Sequence, residues 1–192
     1  MAEIKSALEL ALEKAERYGR ASKEEMAASQ HQEQGRQLAV NYLKGEGDLA
    51  AELKALPAPA QDAARTAVKE VLLRNISLPR NGEKDPRLDL ALEGLLLVAG
   101  NPKAMARLRE EVQQLLQNFL QVRNSAYQQL KARFAATLGN MQRALEAQYG
   151  ARMRLEVEHL PQFQEEWHRF RGQLHDQFDP MLEDLKARMA RS

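Results

Sequence analysis

The sequence predicts an all-α fold: a small N-terminal helical domain followed by a long antiparallel helical hairpin arm. Apolar residues recur at steps of three or four along almost the whole chain, the spacing that places them on one face of an α-helix. Pro86, Pro102 and Pro161 each stand where such a segment begins, and proline suits the first helical turn. The predicted domains are a helical base, residues 1–100, and the arm, residues 101–192.

One uninterrupted helix from Pro102 to Tyr149 dominates this prediction. Its apolar residues follow one another at an average step of about 3.6, which fits a straight helix rather than the 3.5 of a sustained coiled coil. They are Met105, Leu108, Val112, Leu115, Phe119, Val122, Ala126, Leu130, Phe134, Leu138, Met141 and Leu145. Leu116 and Leu120 widen the apolar face in the first half of the helix, whereas the second half narrows to a single stripe.

The length of this helix sets its expected role. About 48 residues at ~1.5 Å each measure roughly 70 Å, whereas a compact globule of 192 residues has a radius of gyration of only about 16 Å. We therefore expect the helix to project as an arm unless it bends at Gly139-Asn140, its weakest point.

Two helices are predicted before residue 45. The first runs from Glu3 to Tyr18 and ends at Gly19, because glycine is common after a helix C-terminus. A second begins at Ser22, which with Glu25 forms a capping box, and extends to Lys44. It is polar over most of its length, with scattered large apolar residues, so we expect it to be exposed. Those residues are Met26, Leu38 and Tyr42.

The middle of the chain predicts three further helices. A short one follows Asp48 and ends at Leu56-Pro57, and a second extends to Asn75 with small residues that let another helix approach closely. Its inward residues are Ala60, Ala63, Ala64, Ala67, Val68, Val71 and Leu72. A loop with an Asn81-Gly82 turn leads to the helix Pro86–Ala99, which is predicted to be the most buried. Its inner stripe is Leu88, Leu92, Leu95, Leu96 and Ala99, widened by Leu90, Leu97 and Val98.

The C-terminal part predicts a connector and one returning helix. Residues 152–158 alternate with a period of two, which indicates a short extended segment. The helix from Pro161 is long enough to pack antiparallel along the long helix, and Asp179-Pro180 is expected to kink or restart it. Its apolar face is Phe163, Trp167, Phe170, Leu174, Phe178, Met181 or Leu182, Leu185 and Met189.

Composition excludes several classes of protein. The net charge of +1 gives no overall attraction to nucleic acid or membrane, and zero cysteines exclude disulfides and thiolate chemistry. The N-terminal residues lack the apolar core of a signal peptide, and the most apolar run, Leu88–Ala99, is too short to span a bilayer. We therefore expect a cytoplasmic protein with no membrane partner.

Local charge is less even than the total. Residues 101–155 carry nine Lys and Arg against three Glu, and residues 156–192 carry five against eight Asp and Glu. Either the basic helix and the acidic C-terminal segment lie side by side, or the basic side chains form a surface for a polyanion. The candidates for contact with a polyanion are Arg123, Lys131, Arg133, Arg143, Arg152 and Arg154.

Three segments carry a resemblance to a known group of sequences: MAEIKSALE at residues 1–9, VLLRNISLP at 71–79 and EHLPQF at 158–163. With these segments the chain resembles an uncharacterised bacterial family of small helical cytoplasmic proteins. The resemblance implies no activity and no site residues, and it makes a familiar enzyme less expected.

No pattern of residues indicates catalysis or a cofactor. The Glu-x-x-His spacings at Glu156 and Glu165 suggest di-iron ligands, but they lie nine residues apart around Pro161 and cannot face each other from two helices. There is no catalytic serine motif and no glycine-rich phosphate loop. We therefore predict no catalytic residues, no metal and no cofactor.

The remaining hypothesis is a non-enzymatic interaction or scaffold protein whose helical arm binds another protein or a second copy of the chain, as in a homodimer. The alternative is a nucleic-acid-associated protein that uses the basic face of the long helix, with Tyr127 or Tyr149 stacking on bases.

Overall fold

The computed structural model describes residues 7–80, 82–83, 85–149 and 156–192, with side chains from Glu25 onward except those of residues 140, 141 and 143–149. Within these ranges the backbone forms six α-helices, one short 3-10 helix and no strand, so the predicted all-α fold is confirmed. The helices are α1 Ala7–Leu43, α2 Leu49–Ala55, α3 Ala58–Arg74, α4 Pro86–Val98, α5 Pro102–Tyr149 and α6 Pro161–Arg191, with the 3-10 helix Val157–His159 before α6.

The chain divides into two compact units. One consists of Met1–Ile76 with Asp89–Gly100, and the other of Ser77–Leu88 with Asn101–Ser192. The domains predicted from the sequence place residues 77–88 in the N-terminal part, whereas here that segment groups with the second unit.

The predicted break between two N-terminal helices is wrong. α1 continues through Gly19 and Ser22 as a single helix of 37 residues. A glycine inside a helix costs only about 1 kcal/mol relative to alanine, so it does not by itself end one. Ser22 has a helical backbone instead of the extended conformation of a capping residue.

α1 packs against α3 through small residues. Gly35 and Ala39 are buried, whereas Met26 is 70% exposed. A Cβ at Gly35 would collide with the backbone of Ala64, so the two helices approach each other at backbone contact. The alanines of α3 thus allow another helix to approach closely, as expected, and that helix is α1.

The ends of α2 and α3 follow from local chemistry. Asp48 caps α2, because its Oδ1 accepts from the backbone N–H groups of Ala50 (3.0 Å) and Ala51 (3.1 Å). Pro57 separates α2 from α3 as predicted. The buried residues of α3 are Ala60, Ala64, Ala67, Val68, Leu72 and Leu73, whereas Ala63 and Val71 are half-buried.

α4 is not buried on every side. Gly94 lies where a Cβ would approach Leu72 Cδ1 and Tyr42 Cε1 to 2.8 Å, so this glycine permits close packing within the first unit. Leu97, predicted to widen the inner stripe, is 54% exposed, because it lies on the face opposite the buried Leu88 and Leu95.

The long helix is confirmed over all 48 residues of α5, including Gly139. Its buried residues are Met105, Leu108, Val112, Leu115, Leu116, Phe119 and Leu138. Val122 was predicted to belong to the same stripe and is 38% exposed. The stripe passes instead through the half-buried Ala126 and Tyr127, because a step of seven or eight residues from Phe119 returns to the same face. The side chains of Met141 and Leu145 lie outside the described set.

α6 packs antiparallel to α5 within the second unit. The backbone N–H of Asn101 donates to the carbonyl of Ser192 (3.1 Å), Phe119 contacts Phe178, and Tyr127 contacts Phe163. As residue numbers rise along α5, the residues of α6 that they contact fall in number, as in any antiparallel helix pair.

α6 continues as one helix through Pro180, so the suggested restart is wrong. Its buried residues are Phe163, Leu174, Phe178, Leu182, Leu185 and Met189, which decides between the two candidates Met181 and Leu182 in favour of Leu182. Of the predicted extended connector, residues 152–155 lie outside the described part; Glu156 is extended, and the 3-10 helix follows.

In the part of the chain that the structure describes, none of the helices combines the length and apolarity needed to cross a bilayer.

Candidate functional site

An aromatic cluster fills the seam between the second half of α5 and the first half of α6. Tyr127 lies edge-on to Phe163 and Trp167, with ring centroids 5.7 Å and 5.0 Å apart, and Phe134 lies edge-on to Phe163 at 5.7 Å. The cluster forms because Phe163 and Trp167 are four residues apart on α6 and share one face. Edge-to-face contacts add to the stabilisation by apolar burial, so the seam is firmly held here.

Among the residues that the structure describes, three ion pairs join α5 to α6 and the segment before it. Lys131 pairs with Glu158 and Arg133 with Glu166, and Arg188 pairs with Glu111 at 2.8 Å. The hydrogen bond between Lys131 and Glu158 raises the pKa of the lysine and lowers the pKa of the carboxyl. The pairs of Lys131 and Arg133 support the interpretation in which the basic helix and the acidic C-terminal segment lie side by side, whereas in the Arg188–Glu111 pair the base belongs to α6.

Of the six residues predicted to contact a polyanion, the three whose side chains are described do not share one environment. Lys131 and Arg133 point to carboxylates of the neighbouring elements, and Arg123 lies in a cavity. The side chains of Arg143, Arg152 and Arg154 lie outside the described residues, so a continuous basic face along α5 stays a prediction.

The cavity that contains Arg123 is the candidate site. It is open, has a volume of about 890 Å³, and lies beside the aromatic cluster in the second unit. The residues that matter for its chemistry are Arg123, Asn124, Tyr127, Glu158, Trp167 and Arg171. Two guanidinium groups, a tryptophan and a tyrosine thus line one opening.

The guanidinium of Arg123 covers the ring of Trp167 at 5.3 Å from its centroid, and its Nη1 donates to Asn124 Oδ1 at 2.8 Å. Partial burial lowers the pKa of Arg123, and the neighbouring Arg171 cation lowers it further. Arg171 Nη2 donates to His168 Nδ1 at 3.5 Å. The two cations therefore influence each other across the cavity.

A glycine in the loop before α4 completes the wall around Arg123. Gly82 has φ +80°, a conformation that side chains rarely adopt, and a Cβ there would collide with Arg123 Nη1. At Gly82, the glycine of the Asn-Gly turn predicted from the sequence, the left-handed backbone conformation is the main reason for a glycine, and the guanidinium of Arg123 occupies the space beside it.

Sequence reasoning missed part of this site. It assigned Trp167 only to the apolar face of the final helix and did not single out Arg171. The spacing of four residues between Trp167 and Arg171, and between Arg123 and Tyr127, places each pair on one helical face. The antiparallel register that brings both pairs together is not visible in either helix alone.

A second opening lies along the other half of the same helix pair. A groove of about 730 Å³ is lined by Leu115 of α5 and by Pro180, Met181 and Leu185 of α6. Met181 is 51% exposed beside two buried leucines, so apolar surface remains accessible there. The Glu111–Arg188 ion pair lies at one end of this groove.

The histidines of the Glu-x-x-His spacings have separate surroundings. His159 ends the 3-10 helix, whereas His168 contacts Arg171. Among the described residues, no group of three or more His, Asp or Glu side chains is placed to hold a metal ion.

Comparison with known proteins adds one match. The model of a family described as "Family of unknown function (DUF6657)" matches residues 50–191. No curated protein and no solved structure matches the chain. The match confirms the expectation, drawn from the three short segments, of an uncharacterised family.

Proposed function

The chain belongs to the family of unknown function DUF6657, and we propose that it is a non-enzymatic interaction protein that binds a partner helix along α5 and α6. The observation that carries the proposal is the apolar groove formed by Leu115, Pro180, Met181 and Leu185. Such a surface suits the apolar face of an amphipathic helix. Methionine is well adapted to it, because its flexible side chain fits partners of different shape.

The charge around the groove indicates the character of the partner. Between residues 172 and 188, α6 carries four acidic residues and two basic ones, Lys186 and Arg188, which pair with Glu183 and Glu111. The acidic residues are Asp176, Asp179, Glu183 and Asp184, all exposed, and Asp184 lines the groove. Complementary charge orients helices and rejects wrong partners, so the proposed ligand is a helix with an apolar stripe and basic flanks.

Pro180 supports the same location. Proline has no backbone N–H, so the carbonyl of Asp176 does not receive the usual bond from four residues further on. The groove therefore lies beside a turn of α6 with one fewer helical hydrogen bond. The proposal includes a cytoplasmic location, which the absence of cysteine favours.

The test compares the wild type with Met181→Glu in affinity capture from the native host. A charge that the bound helix would bury should abolish capture of the specific partner. Met26→Glu is the matched control, since Met26 is 70% exposed on α1 and does not line the groove. Equal capture of every protein by all three forms would contradict the proposal.

Light scattering of the same three proteins at two concentrations asks whether the partner is a second copy. A dimer present in the wild type and in Met26→Glu, but absent in Met181→Glu, would identify self-association through the groove. A wild type that remains monomeric would exclude self-association through the groove.

The nucleic-acid alternative remains a separate prediction. It requires basic side chains free to follow a phosphate backbone, and the ion pairs of Lys131 and Arg133 with Glu158 and Glu166 reduce their availability. Retention on heparin that disappears at modest salt would support the alternative, and passage through the column at low salt would reject it.

A further inference from the structure

We propose that the cavity around Arg123 and Arg171 binds a small organic anion, a phosphate ester or a carboxylate, that carries a planar ring. This site lies in a different part of the α5–α6 pair from the groove of Met181 and does not depend on the proposed scaffold role. The proposal rests on the state of the two guanidinium groups, on the aromatic wall and on the size of the opening.

The two guanidinium groups differ from the three cations that form ion pairs between α5 and the C-terminal elements. Lys131, Arg133 and Arg188 each pair with a carboxylate. Arg123 instead donates to a neutral amide, and Arg171 donates to an imidazole at the long distance of 3.5 Å. Neither forms an ion pair with any carboxylate among the described residues. A pair of arginines with spare donors is the arrangement that recognises carboxylate and phosphate oxygens.

Arg171 also has an unsatisfied donor. Its Nε is buried and has no hydrogen-bond partner in the described part of the chain. A buried donor without a partner is unfavourable and is rare in folded proteins. A modest rotation of the guanidinium toward a bound anion would give this donor a partner.

The acidic residues of the cavity leave this positive charge in place. Glu158 accepts from Lys131 and, at 3.4 Å, from the hydroxyl of Tyr127, so its charge is already offset by a lysine. Its Oε2 is buried without a partner in the described structure. Glu83 is exposed at the rim. Because Lys131 offsets the charge of Glu158, Glu83 is the remaining negative charge of the cavity, against the two positive charges of Arg123 and Arg171.

The aromatic wall selects for a ring. Tyr127 and Trp167 are held edge-to-face at 5.0 Å, and Arg123 Cζ lies 5.3 Å from the ring centroid of Trp167 in a cation–π contact. The opposite face of a guanidinium can stack on a further planar group. The volume of about 890 Å³ lies within the ~300–1,000 Å³ of typical sites for small ligands.

A small ligand fits these observations better than a nucleic-acid strand. The cations that would extend a phosphate track along α5, Lys131 and Arg133, are engaged by Glu158 and Glu166. The two arginines with spare donors are confined to one cavity. The available positive charge is therefore confined to the cavity, which suits a ligand with one anionic group better than a long phosphate backbone.

The single tryptophan of the chain makes the test direct, because Trp167 lines the cavity and all indole fluorescence reports on it. The full chain is titrated with phenyl phosphate, phenylacetate, inorganic phosphate and benzyl alcohol. Each is added to about 10 mM, a concentration that nearly saturates a site with a Kd of ~1 mM. We expect a saturable change of emission with phenyl phosphate or phenylacetate. Whichever of these two binds more tightly identifies a phosphate ester or a carboxylate as the natural class.

The two remaining probes separate the parts of the proposal. Inorganic phosphate should bind at least about tenfold more weakly because it lacks the ring, and benzyl alcohol should show no saturable binding because it lacks the charge. If inorganic phosphate bound as tightly as the charged aromatic probes, the site would not recognise a ring. If benzyl alcohol bound as tightly, the site would not recognise an anionic group. No saturable binding of either charged aromatic probe would overturn the proposal.

A variant assigns any binding to the cavity. Arg171→Gln should lower the affinity for the more tightly bound probe by on the order of 10- to 100-fold. Calorimetry as well as fluorescence measures this affinity. Arg169→Gln is the control, because Arg169 is exposed on the same helix, pairs with Glu165 and does not line the cavity. Circular dichroism checks that both variants fold. Unchanged affinity in Arg171→Gln would overturn the assignment.

Discussion

Arg188 holds Glu111 at two points across 77 residues of sequence: its Nη1 lies 2.8 Å from Oε2 and its Nη2 lies 3.1 Å from Oε1. Two parallel bonds between a guanidinium and a carboxylate are geometrically specific. They fix which turn of α6 faces which turn of α5. The carboxylate of Glu111 also raises the pKa of Arg188.

Replacing Arg188 tests the value of this two-point contact. Arg188→Lys keeps the charge but loses the second bond, so we expect a slightly lower melting temperature, with a larger loss for Arg188→Gln. Both losses should be small because the pair is exposed, and they should shrink in about 1 M salt, where charges are screened over ~3 Å. Losses that persist unchanged in high salt would show that the contact acts by packing instead of by charge.

The register of α5 is tested by comparing two apolar residues that the sequence placed in one stripe. Phe119→Ala should destabilise the protein by about 3–5 kcal/mol, because the ring is 1% exposed and packs on Phe178 and His175. Val122→Ala should change the free energy of unfolding by less than about 0.5 kcal/mol. Urea unfolding measures both, and a large loss at Val122 would mean that the helix is rotated from the described position.

That comparison shows where sequence reasoning succeeded and where it did not. Period and proline position predicted α3, α4, α5 and α6 because these signals are local to each helix. Val122 was misplaced because, after Phe119, both Val122 and Tyr127 lie close enough to the apolar face to continue it. Only the packing of α5 on α6 shows that the buried face passes through Tyr127. Gly19 was misinterpreted for a similar reason, since a glycine marks a helix end only when the chain turns there.

The candidate site was less predictable than the fold. Arg123 was named from its charge alone, and its partners Trp167 and Arg171 lie more than forty residues away on another helix. Their proximity depends on the register of α5 against α6, which no spacing within one helix encodes.

Two glycines in helices should respond in opposite directions. Gly35→Ala places a Cβ against the backbone of Ala64, so we expect a loss of about 1–3 kcal/mol from overpacking. Gly172→Ala meets no atom within 4 Å and should gain roughly 0.5–1 kcal/mol from the better helix propensity of alanine. Thermal unfolding followed by circular dichroism measures both. A neutral Gly35→Ala would refute the close contact of α1 and α3.

The Lys131–Glu158 pair predicts a dependence of stability on pH. Folding lowers the pKa of Glu158, so the pair contributes stability above the unfolded-state pKa and loses it as the pH falls through the lower folded-state value. We expect the stability difference between the wild type and Glu158→Gln to narrow progressively on acidification. Urea midpoints between about pH 7 and about pH 3 measure the difference. Lys131→Gln should remove the same component, and a difference that stays constant with pH in both variants would contradict the assignment.

The contact between Gly35 and Ala64 bears on where a self-sufficient fragment can be cut. The family match begins at residue 50, after α1 has ended at Leu43. A fragment trimmed to that match would expose to water the alanines of α3 that α1 now covers, and it would be prone to aggregate. Any minimal version of the first unit must therefore retain the last turns of α1.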